Sequence, residues 1–182
     1  MPITINGSGT ITGLSQGGLP ANSVTAATCN FSPGKILQVK FTEKTNPWTT
    51  TQGNSSGYAD IDNLTVSITP ASTSNKILVA YRVYASGDGQ VFYFRLCRGS
   101  TFIGGPSGTS SSGANWNANG HMWHDDSFQE VQSFQYLDSP STTSSTTYKV
   151  QMAVSGGTGY LNRYTTDNYH GVSSITAMEI AA

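Results

Sequence analysis

The sequence predicts an all-β protein: a jelly-roll-like sandwich of two sheets, preceded by an extended N-terminal arm. Three observations predict this fold. Only 10% of the 182 residues are charged, and Ser, Thr, Asn, Gln and Gly fill the polar positions. Such side chains disfavour helices, because they compete for backbone hydrogen bonds or lose rotamer freedom there. Apolar and polar residues alternate in several segments without any helical period, and turn signals recur at the spacing of a sandwich.

The N-terminal segment differs from the remainder of the chain, so we divide the sequence into an arm, residues 1–34, and a head, residues 35–182. The arm is rich in glycine and carries too little apolar surface to form a core of its own. It is either disordered or a tether that adds β pairing to a neighbouring chain. Two short β-like segments, Ile3–Ile5 and Thr10–Thr12, favour the tether. The predicted attachment residues are Ile3, Ile5, Ile11 and Leu14.

The head contains about eight to ten predicted strands. Leu37–Phe41 and Leu64–Ile68 alternate with period two, which is typical of half-buried strands. Ile77–Tyr84 and Val91–Leu96 are apolar on both faces, and the Gly87–Gly89 turn signal between them predicts that they pair as central strands. Residues 104–120 form a polar surface loop. The later predicted strands are Phe128–Leu137, Tyr148–Val154, a short edge strand at Tyr160–Tyr164, and Ser174–Ile180, with Thr176, Met178 and Ile180 on one face.

Charge and length exclude several partners. The formal net charge is −1, so no basic field exists to attract nucleic acid or an anionic membrane. No apolar stretch is long enough to span a bilayer, and the N-terminus lacks the pattern of a signal peptide. We therefore expect a soluble chain with one principal domain, no nucleic-acid partner and no membrane insertion. Cys29 and Cys97 are expected to be reduced and structural.

The sequence contains no catalytic motif. A nucleophile elbow, a phosphate-binding loop and a zinc-protease helix are all missing, so we predict neither an enzyme nor a cofactor. A glycosidase would need two carboxyl groups at a defined separation across a cleft, which scattered acids do not establish. We interpret these acids as solvated residues at strand ends: Asp60, Asp62, Glu130, Asp138 and Glu179.

One segment, His121–Asp126, has residues that bind divalent metals. In an extended strand His121 and His124 point to opposite sides, whereas a turn brings them together with Asp125 or Asp126 as nitrogen and oxygen ligands. The spacing is unspecific, and exposed polar loops often carry His and Asp without a metal. We therefore favour an exposed polar loop without a ligand over a metal site at His121 and His124.

Aromatic residues in polar segments are the stronger functional signal. They are surrounded by Asn, Gly, Ser and Thr, and flat rings beside amides and hydroxyls are suited to stack on sugars or to anchor a protein interface. The alternative is that they cover the ends of the core or fill a subunit interface. The candidate ligand or receptor contacts are Trp48, Tyr58, Trp116, Trp123, Tyr160, Tyr164 and Tyr169.

Segments at both ends of the chain resemble one protein family. The leader Met1–Ser15, continuing through Gly17–Pro20, resembles segments of tail-fibre-like proteins of bacteriophages, particularly cyanobacterial ones. The C-terminal Val172–Ile180, together with Ser139–Thr143 and Thr146–Tyr148, resembles the tip domain of the same proteins.

The resemblance implies a homotrimeric, non-enzymatic protein on the virion surface, with a β-sandwich head. Its partners would be its own copies, other virion proteins of the tail or major capsid, and a host surface glycan. The leader runs almost directly into the head, without the shaft of a long fibre. Two functions follow: a short trimeric tail fibre or fibre tip that binds the host surface, or a capsid decoration protein that clamps capsid subunits through its arm. A polysaccharide depolymerase ranks third.

Overall fold

A computed structural model describes residues 35–87, 91–106, 117–123, 129–164 and 171–182, and eleven strands lie within these ranges. The predicted arm, with Ile3, Ile5, Ile11 and Leu14, lies outside the described residues. The strands are β1 (Ile36–Lys44), β2 (Trp48–Thr50), β3 (Ala59–Ile68), β4 (Lys76–Gly87), β5 (Val91–Arg98), β6 (Thr101–Ile103), β7 (Gly120–Trp123), β8 (Glu130–Asp138), β9 (Thr146–Val154), β10 (Gly159–Leu161) and β11 (Ser173–Ile180).

The strands form two sheets whose order is that of a jelly roll. Sheet A has the order β1-β11-β4-β8, and the short pair β10-β2 extends it beside the far end of β4. Sheet B has the order β3-β9-β5, with β6 and β7 paired in succession along the outer edge of β5. Each of these strand pairs is antiparallel. The predicted all-β jelly-roll sandwich is thus confirmed.

The predicted pairing of β4 with β5 is wrong. β4 pairs with β11 and β8 in sheet A, whereas β5 pairs with β9 in sheet B. Both strands are apolar on both faces, and such a pattern indicates a central strand without indicating its sheet. The predicted edge strand at Tyr160–Tyr164 is also corrected. The observed β10 ends at Leu161 and pairs on both sides, with β4 and with β2.

The inner faces of the two sheets enclose one apolar core. Alternate residues of β4, including Ile77, Val79 and Val83, meet Phe92 and Phe94 of β5 from the opposite sheet, and all five are fully buried. Burying a side chain of this size stabilises the fold by about 1.5–3 kcal/mol. Within the described residues no helix of the length and apolarity needed to cross a membrane occurs.

Two acids predicted to be solvated are instead buried and hydrogen-bonded. Asp138, at the end of β8, accepts two bonds from the Arg98 guanidinium, at 2.9 and 2.8 Å, and one from the Tyr148 hydroxyl at 2.7 Å. Burial, followed by the bond to Asp138, raises the pKa of Tyr148. These contacts join β8 of sheet A to β5 and β9 of sheet B. An opposite charge and a hydroxyl donor thus replace water around the buried Asp138 carboxylate.

Glu179 is the second buried acid. Its carboxylate accepts bonds from Gln38 Nε2 at 2.6 Å, Asn75 Nδ2 at 2.6 Å and the Ala71 backbone N–H at 2.7 Å. Burial by itself raises the pKa of Glu179, but the three hydrogen bonds outweigh burial, and the pKa is lowered from its ordinary value. Asp60, Asp62 and Glu130 are exposed, as predicted.

Candidate ligand-binding surface

The outer face of sheet B carries a row of aromatic and polar side chains because of the alternation in β5. Phe92, Phe94 and Leu96 point into the core. Since neighbouring residues of a strand point to opposite faces, Tyr93 and Arg95 lie on the outer face. The candidate site lies on this outer surface and is centred on β5.

An open depression of about 460 Å³ lies at the β5–β7 end of this surface, lined by Val91, Tyr93, His121 and Trp123. The strand register places Val91 opposite Trp123 and Tyr93 opposite His121. The ring centroids of Tyr93 and His121 are 6.5 Å apart, with the planes tilted by 33°. Trp123 is 66% exposed. The depression is therefore walled by three rings, one of them largely open to solvent, and its volume lies within the usual range of small-ligand sites.

The β7 strand presents these rings because the preceding residue, Asn119, fixes the chain onto its neighbours. The Asn119 backbone N–H donates to the Phe94 carbonyl at 2.8 Å, and its side-chain amide donates to the Ile103 carbonyl at 2.9 Å. Its amide oxygen accepts the backbone N–H of Leu96. With Met122 buried beneath β7, period-two alternation turns His121 and Trp123 outward.

Arg95 continues the surface beside the depression. Its guanidinium lies 3.7 Å from the centroid of the Tyr58 ring and 4.9 Å from that of the Phe102 ring, and its Nε donates to the Asn117 carbonyl. Burial raises the pKa of Tyr58, and the Arg95 charge opposes part of that effect. The arginine is thus held between two rings by cation–π contacts and one hydrogen bond, which fixes its position on the sheet.

A hydrogen-bonded polar strip crosses the sheet next to Arg95. The Asp60 carboxylate accepts from Lys149 Nζ at 2.6 Å and from Gln151 Nε2 at 2.7 Å. Gln151 Oε1 in turn accepts a hydrogen bond from the Cys97 thiol at 3.2 Å. Burial alone raises the pKa of Asp60, but these hydrogen bonds outweigh it and the pKa is lowered. Rings and polar groups on rigid strands suit binding by stacking and hydrogen bonding.

The structure divides the predicted contact residues between the two sheets. Trp123 and Tyr58 lie on sheet B and its margin, as described above. Trp48 belongs to β2 of sheet A, where it is half-buried and packs against the core. Tyr160 belongs to β10, with the Arg163 guanidinium 5.0 Å from its ring centroid, and the Tyr164 carbonyl accepts from Arg163 Nε. Two further predicted contacts, Trp116 and Tyr169, lie outside the described residues.

The predicted metal site stays a prediction. His121 is exposed and faces Tyr93, and the described part of the chain contains no group of three or more His, Cys, Asp or Glu placed to hold a metal ion. The other residues of that prediction, His124, Asp125 and Asp126, lie outside the described residues.

The sequence interpretation missed Val91, Tyr93, Arg95 and Phe102 as parts of this surface. The sequence predicts that β5 is apolar on both faces, broken only by Arg95, and this pattern conceals how far its two faces differ. The alternation of β5 nevertheless contains the signal that separates its faces. Tyr93 and Arg95 are two residues apart and share one face, whereas Phe92 and Phe94 share the other.

No family model matches this chain, and no curated protein matches it. Among solved structures, the chain is similar to a protein of infectious bursal disease virus, Gt strain, with a TM-score of 0.44 and 15% identity over 90% of this chain and 43% of that chain. For the Gx strain the TM-score is 0.40 and the identity 13%, with the same coverage. The chain thus spans less than half the length of these viral chains. Likeness at this level assigns no function to the chain.

Proposed function

We propose that this chain is a non-enzymatic structural protein of the bacteriophage virion surface: a short trimeric tail fibre, or the tip of one, that binds a host surface glycan. The observation that carries the proposal is the open depression on sheet B, where the largely exposed Trp123 stands beside the Tyr93–His121 ring pair. The jelly-roll fold is one that lectin and viral domains share, and both chain ends resemble fibre proteins.

The depression suits a sugar better than a charged or purely apolar ligand. An indole that is 66% exposed offers a flat apolar surface on which a pyranose ring can lie. His121 adds ring nitrogens at the rim, and the Arg95–Asn117 and Asp60–Gln151 groups extend the polar surface along the same sheet. The strands hold these groups in place, so little ordering of the protein opposes binding.

Binding of the full-length chain to host cells and to polysaccharide purified from their surface tests the proposal. Trp123→Ala should weaken binding by roughly tenfold or more, the loss expected of an interface hot spot. Ser67→Ala is the matched control. Ser67 lies on the outer face of β3 in the same sheet, where its hydroxyl contacts that of Thr147 at 2.8 Å, and its replacement should leave binding unchanged. Unchanged binding by Trp123→Ala would reject the depression as the glycan site.

Location on the particle is tested separately. Electron cryo-microscopy of intact virions should place the chain at the tail. Density on the capsid surface would instead favour the decoration protein of the alternative interpretation, and the arm would then be its contact with the shell. Loss of binding in Tyr160→Ala, with Trp123→Ala unaffected, would move the glycan site to the β2–β10 region of sheet A.

A further inference from the structure

The outer face of sheet A carries one row of apolar side chains that spans four strands, with further apolar side chains in the rows beside it. The strand registers align Val39 of β1, Met178 of β11, Leu78 of β4 and Leu137 of β8 in one row across four strands. The next row toward one end contains Phe41, Thr176, Ala80 and Gln135, and the row toward the other end contains Ile36, Ile180 and Lys76. We call Ile36, Val39, Phe41, Leu78, Leu137 and Met178 the apolar face.

These side chains are exposed to an extent that is unusual for a sheet facing water. Val39 is 53% exposed, Phe41 59% and Leu137 52%. A solvated antiparallel sheet normally alternates apolar residues inside with polar residues outside. Sheet B does so in part, with Thr65, Ser67 and Thr147 on its outer face. A contiguous apolar surface of this kind marks an interaction site.

The charges around the apolar face fit a second copy of this chain. The row that limits the face at one end reads Glu43, Ser174 and Arg82 across β1, β11 and β4, so it combines one acid with one base. The row at the other end adds the exposed Lys76 opposite Ile180, so the surface carries charges of both signs and a copy can offer an opposite charge to each of them. The formal net charge of the chain, −1, is equally permissive.

The size of the apolar face fits the centre of a subunit contact. Four strands at about 4.8 Å spacing and seven residues at about 3.3 Å rise give a flat area of roughly 19 by 23 Å, or about 440 Å². A standard interface buries about 800 Å² per partner, with an apolar centre and a polar rim. The rim is available here, because β1 and β8 each pair on one side only within the described residues and flank the face as open edges.

We infer that the apolar face is the interface at which copies of this chain associate. The inference deepens the proposed function by naming the surface that would hold its trimer together. It is nevertheless tested apart from glycan binding, since the mass of the assembly is measured without any ligand.

Sedimentation equilibrium of the full-length chain provides the test. The wild type should have a mass that is a multiple of 19.3 kDa, and Phe41→Glu and Leu137→Glu should each reduce it to that of one chain. Trp123→Glu is the matched control, because it places the same charge at an equally large exposed side chain on the opposite sheet. Its mass should stay that of the wild type, although its glycan binding should be lost. Circular dichroism establishes that each variant remains folded.

A wild-type chain that sediments as a monomer would overturn the inference, and so would an assembly that survives both substitutions on sheet A. Photo-crosslinking from a benzoyl-phenylalanine at position 41, in a mixture of isotope-labelled and unlabelled copies, identifies what covers the face. Crosslinks between two copies within residues 35–182 would support the inference. Crosslinks to residues 1–34 would overturn it in favour of the arm.

Discussion

Replacing Glu179 by Gln tests the buried cluster in which one carboxylate joins β1 and β11 to the turn before β4. Oε1 accepts the Ala71 N–H and the Asn75 amide, and Oε2 accepts Gln38 Nε2, which also donates to the Thr69 carbonyl at 2.8 Å. An amide at position 179 keeps one accepting oxygen and turns its NH₂ group toward another donor. One charge-assisted bond is lost, and a donor is left facing a donor.

The substitution should lower the free energy of unfolding by about 2–4 kcal/mol. The lost hydrogen bond to a charged group contributes about 1.5–3 kcal/mol, and the donor left facing a donor adds only part of the 1–3 kcal/mol that a fully unsatisfied buried group costs. Urea unfolding, followed by circular dichroism, measures this change in the free energy of unfolding. The chain concentration is kept fixed, because association of copies would change the apparent stability. Glu130→Gln is the control: Glu130 is exposed on β8, and its replacement should change stability by less than about 0.5 kcal/mol. A Glu179→Gln variant as stable as the control would refute the reasoning.

The same residue predicts a pH dependence. The pKa of Glu179 is lowered in the folded chain from its ordinary value of 4.5, so the unfolded state binds the proton more tightly than the folded state. The stability that the carboxylate contributes is complete above about pH 4.5 and is lost as the pH falls through the folded pKa. Because Gln does not titrate, the stability difference between wild type and Glu179→Gln should be constant at neutral pH and shrink below about pH 4.5. A difference that grows on acidification would contradict the assignment.

Three further predictions concern the core. Tyr148→Phe removes the hydroxyl that donates to the buried Asp138 carboxylate and should destabilise the fold by about 1.5–3 kcal/mol in urea unfolding. Burial raises the pKa of Cys97 to about 11, so iodoacetamide near neutral pH should leave its peptide unmodified in the folded chain and modify it in urea, as read by mass spectrometry. In Gly87→Ala the new Cβ would lie 2.4 Å from the buried Phe92 ring, and the melting temperature should fall by an amount equivalent to about 1–3 kcal/mol.

The positions of several strands could be predicted from local alternation, but not which face of each strand is buried, since Leu37, Val39 and Phe41 of β1 are all exposed. The period-two pattern located β1, β3, β9 and β11, and it placed Thr176, Met178 and Ile180 together on one face of β11, which the registers with β1 and β4 show to be the outer face. Alternation is a local property of one strand, so it survives whatever fold surrounds it. The partner strands of β4 and of β5 could not be predicted in this way, because a jelly roll pairs strands that are distant in sequence.

The buried acids show the same limit. Glu179 shares its parity in β11 with the buried Ser173, Ile175 and Ala177, so alternation alone assigns it to the core face. A lone acid at such a position conflicts with the cost of burying a charge, and the sequence analysis predicts Glu179 to be a solvated residue at a strand end. The donors that stabilise it come from positions 38, 71 and 75, more than 100 residues away, and only the fold brings them together.

The candidate site was predictable in kind but not in composition. Aromatics in polar segments predict Trp123 as a contact, and the structure shows it exposed in a depression, yet the residues that complete the depression come from β5, whose pattern predicts a central strand. The reason lies in the geometry of a sandwich: each central strand contributes one face to the core and the other to the surface. Tyr93 therefore lies one residue from the core residue Phe92 while it lines the depression.

The two outer faces of the sandwich explain why so few residues of this chain are charged. In an ordinary antiparallel sheet, Lys, Glu, Asp and Arg cover the solvent-exposed face, and about 25% of the residues in a typical domain are charged. Here one outer face is apolar across four strands, and the other has rings flanking a few ion-paired and hydrogen-bonded groups. Charges are scarce because neither face resembles a surface built only for water. Under the two proposals, sheet A serves assembly through its apolar area and sheet B serves recognition through its rings and amides, and substitutions on opposite sides of one core would then change the two separately.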